Sequence, residues 1–445
     1  MNREDIKISD GDFWGSSLVR IEIPNKITRI GSYTFQQCHF LSTVIIPPSV
    51  TKICFRSFSG CTSLTEISIP SSLKSIGKYA FDECTSLKRI SLPSSLTLID
   101  DCAFYGCYNL TEVLLINQST TSTSNDSTQI DDSKSSEFCV DLQIQDKEKS
   151  DSDADVNKKR DDIDVVKNKP LNNINNKIGK SAFEKCFNLK RIEISHLISS
   201  IESNSFNKCM SLTEISIPFG LIKIEQNSFF QCNSLKQIKI PSSVIEICDN
   251  AFNQCISLIE LEIPSSVTKI GQKAFQCCSS LMRIKIPSSV TEIERYTFYE
   301  CSSLKEISIP SSIKSIGEYA FYGCYSLTDF SIPSSLTSIE MFSFFLCSSL
   351  KEILLPDSVK SINKCAFAEC SSVEKISIPP TVEFIGESAF CRLESLKKLE
   401  ILSPKIVVKK LAFAECSALY EVSINSTSAN IDKTAFFKCK SLKKK

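Results

Sequence analysis

One 23-residue pattern recurs sixteen times along this chain and constrains its fold more than any other feature. The copy that starts at Leu64 reads LTEISIPSSLKSIGKYAFDECTS. The copies begin at Leu18, Leu41, Leu64, Leu87, Leu110, Leu189, Leu212, Leu235, Leu258, Leu281, Leu304, Leu327, Leu350, Val373, Leu396 and Leu419. Successive starts lie 23 residues apart, except that Leu110 and Leu189 lie 79 apart. A short fixed period predicts a solenoid, in which each unit packs only on its neighbours.

The first half of each copy predicts a short strand. Ile67 and Ile69 alternate with Glu66 and Ser68, which is the period of a strand with one buried face. Pro70 follows and ends the strand, because proline has no N–H to donate to a ladder. Stacked copies therefore predict one parallel sheet along one face, with strands about 4.8 Å apart.

The second half of each copy predicts a compact return segment. Ala80, Phe81 and Cys84 are spaced i, i+1 and i+4, which favours a short helical or 3₁₀ turn that carries Phe and Cys inward. We therefore expect a solenoid with a parallel sheet on one face and such turns on the return face.

The 22 cysteines follow the repeat. One repeat position holds Cys38, Cys61, Cys84, Cys107, Cys186, Cys209, Cys232, Cys255, Cys278, Cys301, Cys324, Cys347, Cys370, Cys416 and Cys439. Leu393 occupies the same position in the remaining copy, which indicates a slot for a buried hydrophobic side chain. Disulfides or a metal are the alternative. So many unpaired thiols favour a reducing compartment.

The unit L-x-x-I-x-I-P-S-S-V/L-x-x-I-x-x-x-A-F-x-x-C-x-S resembles the leucine-rich repeat of the BspA-like type, over nearly the whole chain. The resemblance implies a curved leucine-rich-repeat solenoid. It also implies kinship with bacterial and protist proteins that are often displayed on the surface and implicated in adhesion. The family carries no catalytic motif, so the resemblance transfers framework positions and no functional residue.

The repeats divide the chain into four segments. Residues 1–17, with Phe13 and Trp14, are predicted to cap the first repeat, and residues 18–116 form repeats 1 to the start of 5. Residues 117–173 form a polar, acidic insert of disordered composition. It is either a tolerated expansion or a regulatory loop. Residues 174–445 complete repeats 5 to 16 and add a truncated start at Leu442, whose uncovered edge predicts self-association.

Composition and motifs exclude several classes of function. The formal net charge is +0, which gives no general attraction to nucleic acid or to an anionic membrane. No apolar stretch predicts a transmembrane segment, and the first residues do not read as a secretory signal. Only two histidines occur, His39 and His196, and no nucleophile, phosphate-loop or zinc motif accompanies them. We expect no catalysis, no cofactor and no metal.

Residues that break the repeat predict where a partner binds. An aromatic cluster on three successive copies consists of Tyr296, Tyr299, Tyr319, Tyr322, Tyr325, Phe342 and Phe345. It forms either a protein contact or a set of rings that pack on one another. Three acids on consecutive strands, Glu306, Asp329 and Glu352, predict a contact for a basic partner or a cation.

The sequence thus predicts a non-catalytic protein-recognition scaffold. By resemblance it is a surface or adhesion protein that binds host or matrix proteins. The alternative is an intracellular interaction scaffold, which the missing signal and the many thiols favour. Localisation therefore stays open between the cell surface and the cytoplasm.

Overall fold

The computed structural model describes residues 8–116 and 176–442, and these belong to one compact unit formed by Met1–Gln118 and Ile174–Lys445. The predicted insert and the first seven residues lie outside the described part. We call each 23-residue copy a coil, from coil 1 at Leu18 to coil 16 at Leu419. Coil positions are counted from the leading residue, so that Leu64 is position 1 of coil 3.

The described residues contain short strands and turns, and no helix. In chain order the strands are β1 (Arg20–Glu22), β2 (Arg29–Ile30), β3 (Thr43–Ile45), β4 (Lys52–Ile53), β5 (Glu66–Ser68), β6 (Ser75–Ile76), β7 (Arg89–Pro93), β8 (Leu98–Ile99), β9 (Glu112–Ile116), β10 (Lys177–Ile178), β11 (Arg191–Ile192), β12 (Ser200–Ile201), β13 (Glu214–Ile215), β14 (Lys223–Ile224), β15 (Glu246–Ile247), β16 (Glu260–Leu261), β17 (Lys269–Ile270), β18 (Arg283–Lys285), β19 (Glu292–Ile293), β20 (Glu306–Ser308), β21 (Ser315–Ile316), β22 (Ser338–Ile339), β23 (Ser361–Ile362), β24 (Lys375–Ile378), β25 (Phe384–Ile385), β26 (Lys398–Ile401), β27 (Lys405–Val408), β28 (Glu421–Ile424) and β29 (Ser428–Ile431).

The strands form two sets of parallel ladders. The predicted sheet at positions 3 to 5 is confirmed, and we call this set the first ladder. It comprises a seven-stranded sheet, β1-β3-β5-β7-β9-β11-β13, and the shorter sheets β16-β18-β20 and β24-β26-β28. A second ladder at positions 12 and 13 was not predicted. Its sheets are β12-β10-β8-β6-β4-β2, β14-β15-β17, β19-β21 and β22-β23-β25-β27-β29.

The second ladder escaped sequence analysis because its strands are mostly two residues long. In coil 3 it contains only Ser75 and Ile76, which pair in register with Lys52 and Ile53 of coil 2. Two residues are too few for an alternating pattern to show. The solenoid therefore has parallel pairing on two faces of most coils, and coils 8, 12 and 13 contribute no strand to the first ladder.

A column of phenylalanine rings runs through the core. One ring per coil stacks on the next from Phe35 to Phe436, with centroids 5.1 to 5.6 Å apart and interplanar angles of 1 to 13°. The leading Leu and the framework Cys of most coils are fully buried beside these rings. Leu393 is also buried, so the slot takes a hydrophobic side chain as predicted. Burial of apolar area at these repeated positions is the main source of stability.

The helical or 3₁₀ turns expected on the return face do not form. Tyr79 and Glu83 of coil 3 have φ values of +57° and +55°, which no right-handed helix or 3₁₀ turn accommodates. Alternate N–H groups point in two directions instead. One set of N–H groups donates to carbonyl groups of coil 4, and it belongs to Tyr79, Phe81 and Glu83. The other set donates to the carbonyl group three residues earlier in the same coil, and it belongs to Ala80, Asp82 and Cys84.

This alternation explains why left-handed backbone is tolerated in nearly every coil. A left-handed non-glycine residue costs about 1–2 kcal/mol, but a buried N–H without an acceptor costs a comparable amount. Two left-handed residues per coil direct every second N–H to the next coil. The return face therefore carries a third set of hydrogen bonds between coils. The i, i+1, i+4 spacing of apolar residues suits such a turn as well as a helical one.

Residues 8–16 form a partial coil that sequence analysis did not identify as a repeat. Gly11, Phe13 and Gly15 donate N–H groups to Ser32, Thr34 and Gln36 of coil 1, in the same alternating pattern as later coils. Both glycines have positive φ, +77° and +66°, as the pattern requires. The Phe13 ring stacks on Phe35 at 5.3 Å and so extends the phenylalanine column. Trp14, in contrast, is 62% exposed.

Coil 5 is interrupted at the corner after β9. The described chain stops at Ile116 and resumes at Asn176. Across this corner coil 6 contacts coil 4 directly, because the Ser195 hydroxyl donates to the Ser94 carbonyl at 2.7 Å. Both ladders continue through coil 5 on either side, through β9 and β10. The interruption therefore affects one corner and leaves the stacking intact.

Candidate binding groove

The outward residues of the first ladder form charged columns. Glu66, Arg89 and Glu112 are direct neighbours in the ladder register, so opposite charges alternate along this column. Arg89 approaches Glu66 only to 4.0 Å, and both side chains are largely exposed. Exposed pairs of this kind contribute about 1 kcal/mol or less. The column therefore presents charge to solvent more than it stabilises the fold.

A groove of about 1120 Å³ lies over the first ladder from coil 5 to coil 11. Its floor consists of the outward residues at positions 3 and 5, together with inward residues of the same strands. The polar floor residues are Arg191, Glu193, Glu214, Ser216, Gln237, Lys239, Glu260, Glu262, Arg283, Lys285, Glu306 and Ser308. Ladder hydrogen bonds hold most of the floor strands, although coil 8 contributes only the bridge between Ser216 and Lys239, and the floor residues differ from coil to coil.

The charged residues of coil 6, at one end of the groove, form ion pairs or hydrogen bonds within the chain. In coil 6, Arg191 pairs with Glu193 at 2.9 Å, and the other oxygen of Glu193 accepts the Leu115 N–H at 3.0 Å. These charges are satisfied within the chain.

Coils 9 and 10 carry four charges that pair with nothing in the described residues. Glu260 and Glu262 form an acidic band on coil 9, and Arg283 and Lys285 form a basic band on coil 10. Glu260 and Arg283 are register partners, but no ion pair within 4 Å joins any of the four to another described side chain. These bands are available to a ligand.

The structure separates the three predicted acidic residues. Glu306 lies on β20 and lines the groove, whereas Asp329 belongs to coil 12, which has no strand in the first ladder. The Thr328 hydroxyl donates to Asp329 at 2.9 Å. Glu352 precedes Ile353, which forms only an isolated bridge with Ile376. The three acids therefore do not share one continuous ladder.

The predicted aromatic cluster forms two parallel stacks on the return face. Tyr296, Tyr319 and Phe342 stack at 4.8 and 4.9 Å, and Tyr299, Tyr322 and Phe345 stack at 4.7 and 5.0 Å. We call these six residues the aromatic ladder. Each ring covers the face of the next, so the rings are half-buried by one another. Tyr325 stands outside the ladder and is 42% exposed.

The hydroxyls of Tyr299, Tyr319 and Tyr322 in the aromatic ladder stay protonated well above neutral pH. Burial, with a further contribution from Glu300, raises the pKa of Tyr299 to about 12. Burial also raises the pKa of Tyr319 and Tyr322. These phenols can therefore donate hydrogen bonds to a partner across the physiological pH range.

Two stripes of exposed apolar side chains border the groove, and sequence analysis missed them. The first border precedes the strands of the first ladder and comprises Met210, Ile256, Ile259 and Met282. The second border follows these strands and comprises Leu197, Phe219, Ile222 and Ile245. All eight residues belong to coils 6 to 10, and Phe219 is 77% exposed.

These border residues stand where other coils carry polar ones. Coil 3 has Thr65 at the position of Met282 and Ser71 at that of Phe219. A column-by-column comparison of the copies would have shown the difference. It was overlooked because Ile and Met are common residues whose exposure depends on the coil geometry.

The framework thiols are donors as well as hydrophobic groups. The Cys84 sulfur donates to the Phe58 carbonyl at 3.1 Å, and this contact to the preceding coil recurs from coil to coil. Burial holds the pKa of Cys84 well above its usual range. The 21 described cysteines are free thiols, and no group of three metal-ligating side chains occurs in the described residues. Cys84 at the framework position is therefore a protonated, unreactive thiol.

The fold and groove together define a repeat scaffold, in which buried positions repeat and outward positions vary. The sequence profile of the BspA type Leucine rich repeat region matches residues 6–128, 166–282, 268–370 and 337–444. The chain belongs to this leucine-rich-repeat family. No curated protein matches the chain.

Solved structures of bacterial leucine-rich-repeat proteins are similar. A leucine-rich repeat protein from Bacteroides ovatus shares 25% identity over 93% of this chain and 86% of its own, with a TM-score of 0.60. A leucine rich cell surface protein from Faecalibacterium prausnitzii shares 26% identity over 74% of this chain and 83% of its own, with a TM-score of 0.42. Within the described residues, no helix is long and apolar enough to cross a membrane.

Proposed function

We propose that this protein is a non-catalytic recognition scaffold that binds a protein partner in the groove over coils 5 to 11. The groove carries this proposal, because non-repeating charged residues stand there on a core that repeats almost without change. Exposed apolar side chains concentrated beside it are typical of interaction surfaces. A rigid surface with variable side chains suits recognition, since little conformational entropy is lost on binding.

A photo-crosslinking experiment tests this proposal. We would place p-benzoylphenylalanine at Ser216, which lines the groove, and at Ser68, which has the same coil position outside it. The proposal predicts a crosslinked protein partner in cells from the Ser216 position and none from the Ser68 position. Equal crosslinking from both positions, or none from Ser216, would contradict it.

We infer by family membership that the scaffold acts at the cell surface, in adhesion to host or matrix proteins. An intracellular interaction scaffold is the second candidate, and the free thiols favour it. An antibody against residues 117–173, applied to intact cells, separates the two. Labelling before permeabilisation supports adhesion, whereas labelling only after permeabilisation supports the intracellular scaffold.

The aromatic ladder with Tyr325 is a second proposed contact for a protein partner. The two adjacent ring stacks support this proposal, because they present tyrosine hydroxyl groups that can form hydrogen bonds with a partner. Glu306, Asp329 and Glu352 are likewise proposed to meet basic groups of a partner. Of these three acids, Glu306 has the stronger support because it lines the groove.

A further inference from the structure

Resting on the proposed function, we propose that the groove takes an amphipathic protein segment that carries a basic side chain next to an acidic one, with apolar residues on either side. The basic side chain lies over Glu260 and Glu262, and the acidic one lies over Arg283 and Lys285. The apolar residues contact the first and second borders.

The charge pattern of the floor indicates a mixed-charge ligand. The acidic band of coil 9 and the basic band of coil 10 are adjacent, about 4.8 Å apart as neighbouring strands are. A polyanion such as nucleic acid would meet repulsion at coil 9, and a polycation would meet it at coil 10. A protein segment with two opposite charges about 5–6 Å apart, as at i and i+4 of a helix, complements both bands.

The borders indicate where the apolar part of the segment lies. Ile259 and Met282 immediately precede the acidic and the basic strand, so the first border flanks both bands. Phe219 and Ile222, exposed by 77% and 51%, lie on the other side of the ladder in coil 7. Exposed aromatic and Met side chains of this kind supply the adaptable apolar contacts of protein interfaces.

The three features coincide in one part of the molecule. The groove spans coils 5 to 11, the first border lies in coils 6 to 10, the second border lies in coils 6 to 8, and the unpaired bands occupy coils 9 and 10. In coil 3 the same positions hold Ser71, Thr65 and Lys74, whereas outside coils 6 to 10 exposed apolar residues occur at single border positions, as at Val19 and Tyr420. A repeat array that departs from its own pattern on both sides of one groove marks that groove as a recognition surface.

A charge-exchange variant tests the inference. It combines Glu260→Lys, Glu262→Lys, Arg283→Glu and Lys285→Glu, which swaps the two bands and keeps the net charge and the opposite charges between coils 9 and 10. Because position 283 is also the register partner of Glu306, the melting temperature of the variant is compared with that of the wild type. A phage-displayed library of random twelve-residue peptides is selected on the full-length protein and on this variant. We expect peptides selected on the wild type to contain adjacent basic and acidic residues among apolar ones. They should bind the variant at least about tenfold more weakly.

Border variants supply the second arm. Phe219→Ser and Met282→Thr install the residues of other coils, so the fold should keep its melting temperature. The same peptides should lose about tenfold in affinity. The inference is overturned if both proteins select the same peptides, if no peptide is selected, or if border variants bind unchanged.

The crosslink from the Ser216 position separates this inference from the broader proposal. If the crosslink to the partner persists undiminished in the charge-exchange variant, the groove is a binding face but the proposed segment chemistry is wrong. If no crosslink forms with either protein, the proposed function itself is wrong.

Discussion

Coils 1 to 7 and coils 11 to 13 have the same repeated core but differ in how their backbones pair. The first region holds an unbroken seven-stranded first ladder from β1 to β13. In the second region the first ladder ends at β20, coil 12 contributes no strand, and coil 13 contributes only the bridge at Ile353. The phenylalanine column passes through both regions without a break.

Phe330 distinguishes coil 12 within the second region, although coil 8 also lacks a first-ladder strand with Ile238 at the same position. It is the one aromatic residue at position 4, where the other coils have Ile, Val or Leu. Its ring meets Phe321 and Phe344 edge-on at 5.1 and 4.7 Å. We infer that a ring in a slot sized for Ile holds the backbone of coil 12 out of the ladder. The aromatic ladder joins coils 10, 11 and 12 on the return face. Coils 10 and 11 pair in both ladders, whereas coils 11 and 12 pair in neither.

The comparison teaches that side-chain columns, rather than strand pairing, keep this solenoid continuous. Aromatic rings also meet on the return face where the sheet is regular, as at Tyr33, Phe55 and Tyr79. Where the sheet is interrupted, stacked rings on the return face supply additional contacts between coils, at about 0.5–1.5 kcal/mol for each pair.

The largest expected effect is alkaline destabilisation through the thiol column, which both regions share. Burial raises the pKa of thiols such as Cys84 in the folded state, so the unfolded chain loses protons first as pH rises. Stability should be constant below about pH 8 and should then fall by about 1.4 kcal/mol per pH unit for each buried thiol. Thermal melts between pH 7 and 9.5 check this. A Cys84→Ala variant should show a smaller slope, and a flat profile would contradict the prediction.

The next largest effect concerns the phenylalanine column. Phe58→Ala and Phe321→Ala should each cost about 3–5 kcal/mol, because each empties a fully buried slot between two rings. Phe321→Ala should lie at the upper end, since it also removes a contact of Phe330, and it should split the unfolding transition. Urea titration followed by circular dichroism measures both. A cost under about 1 kcal/mol at either position would show that the core register is wrong.

A smaller effect is expected in the aromatic ladder. Tyr322→Ala should cost about 1–2 kcal/mol, since Tyr322 stacks on Tyr299 and Phe345. Tyr322→Phe keeps the ring and should change stability by less than about 0.5 kcal/mol. If Tyr322→Phe weakens partner binding without changing stability, the ladder is also a contact surface. If it leaves binding unchanged, the ladder only joins coils.

The smallest effect should come from restoring the framework residue in coil 12. In Phe330→Ile, the backbone of residues 328–332 should be able to pair with coils 11 and 13. Amide hydrogen exchange there should then slow toward the rate of the same positions in coil 3, residues 65–69. Exchange that stays as fast as in the wild type would show that Phe330 does not cause the interruption.

Much of the fold could be predicted because each framework residue appears many times. Phe81 and Cys84 belong to columns that recur at a fixed period, so burial of one implies burial of all. The candidate site was harder to predict, since Glu260 and Arg283 look like any alternating pair in the sequence. Their lack of ion-pair partners, and the exposure of Phe219 and Met282 beside them, depend on side-chain positions that no repeat pattern encodes.

The sequence by itself determined the solenoid, its period, the parallel first ladder and the buried Leu, Phe and Cys columns, because apolar periodicity dictates which side chains face inward. Only the tertiary structure decided the second ladder, the left-handed return turns at Tyr79 and Glu83, and the break at Phe330. These features arise from hydrogen bonds and contacts between successive coils. The physical reason is that the local pattern of apolar residues determines which side chains point into the core. Contacts with the preceding and following coils determine the backbone conformation and the exposure of each residue.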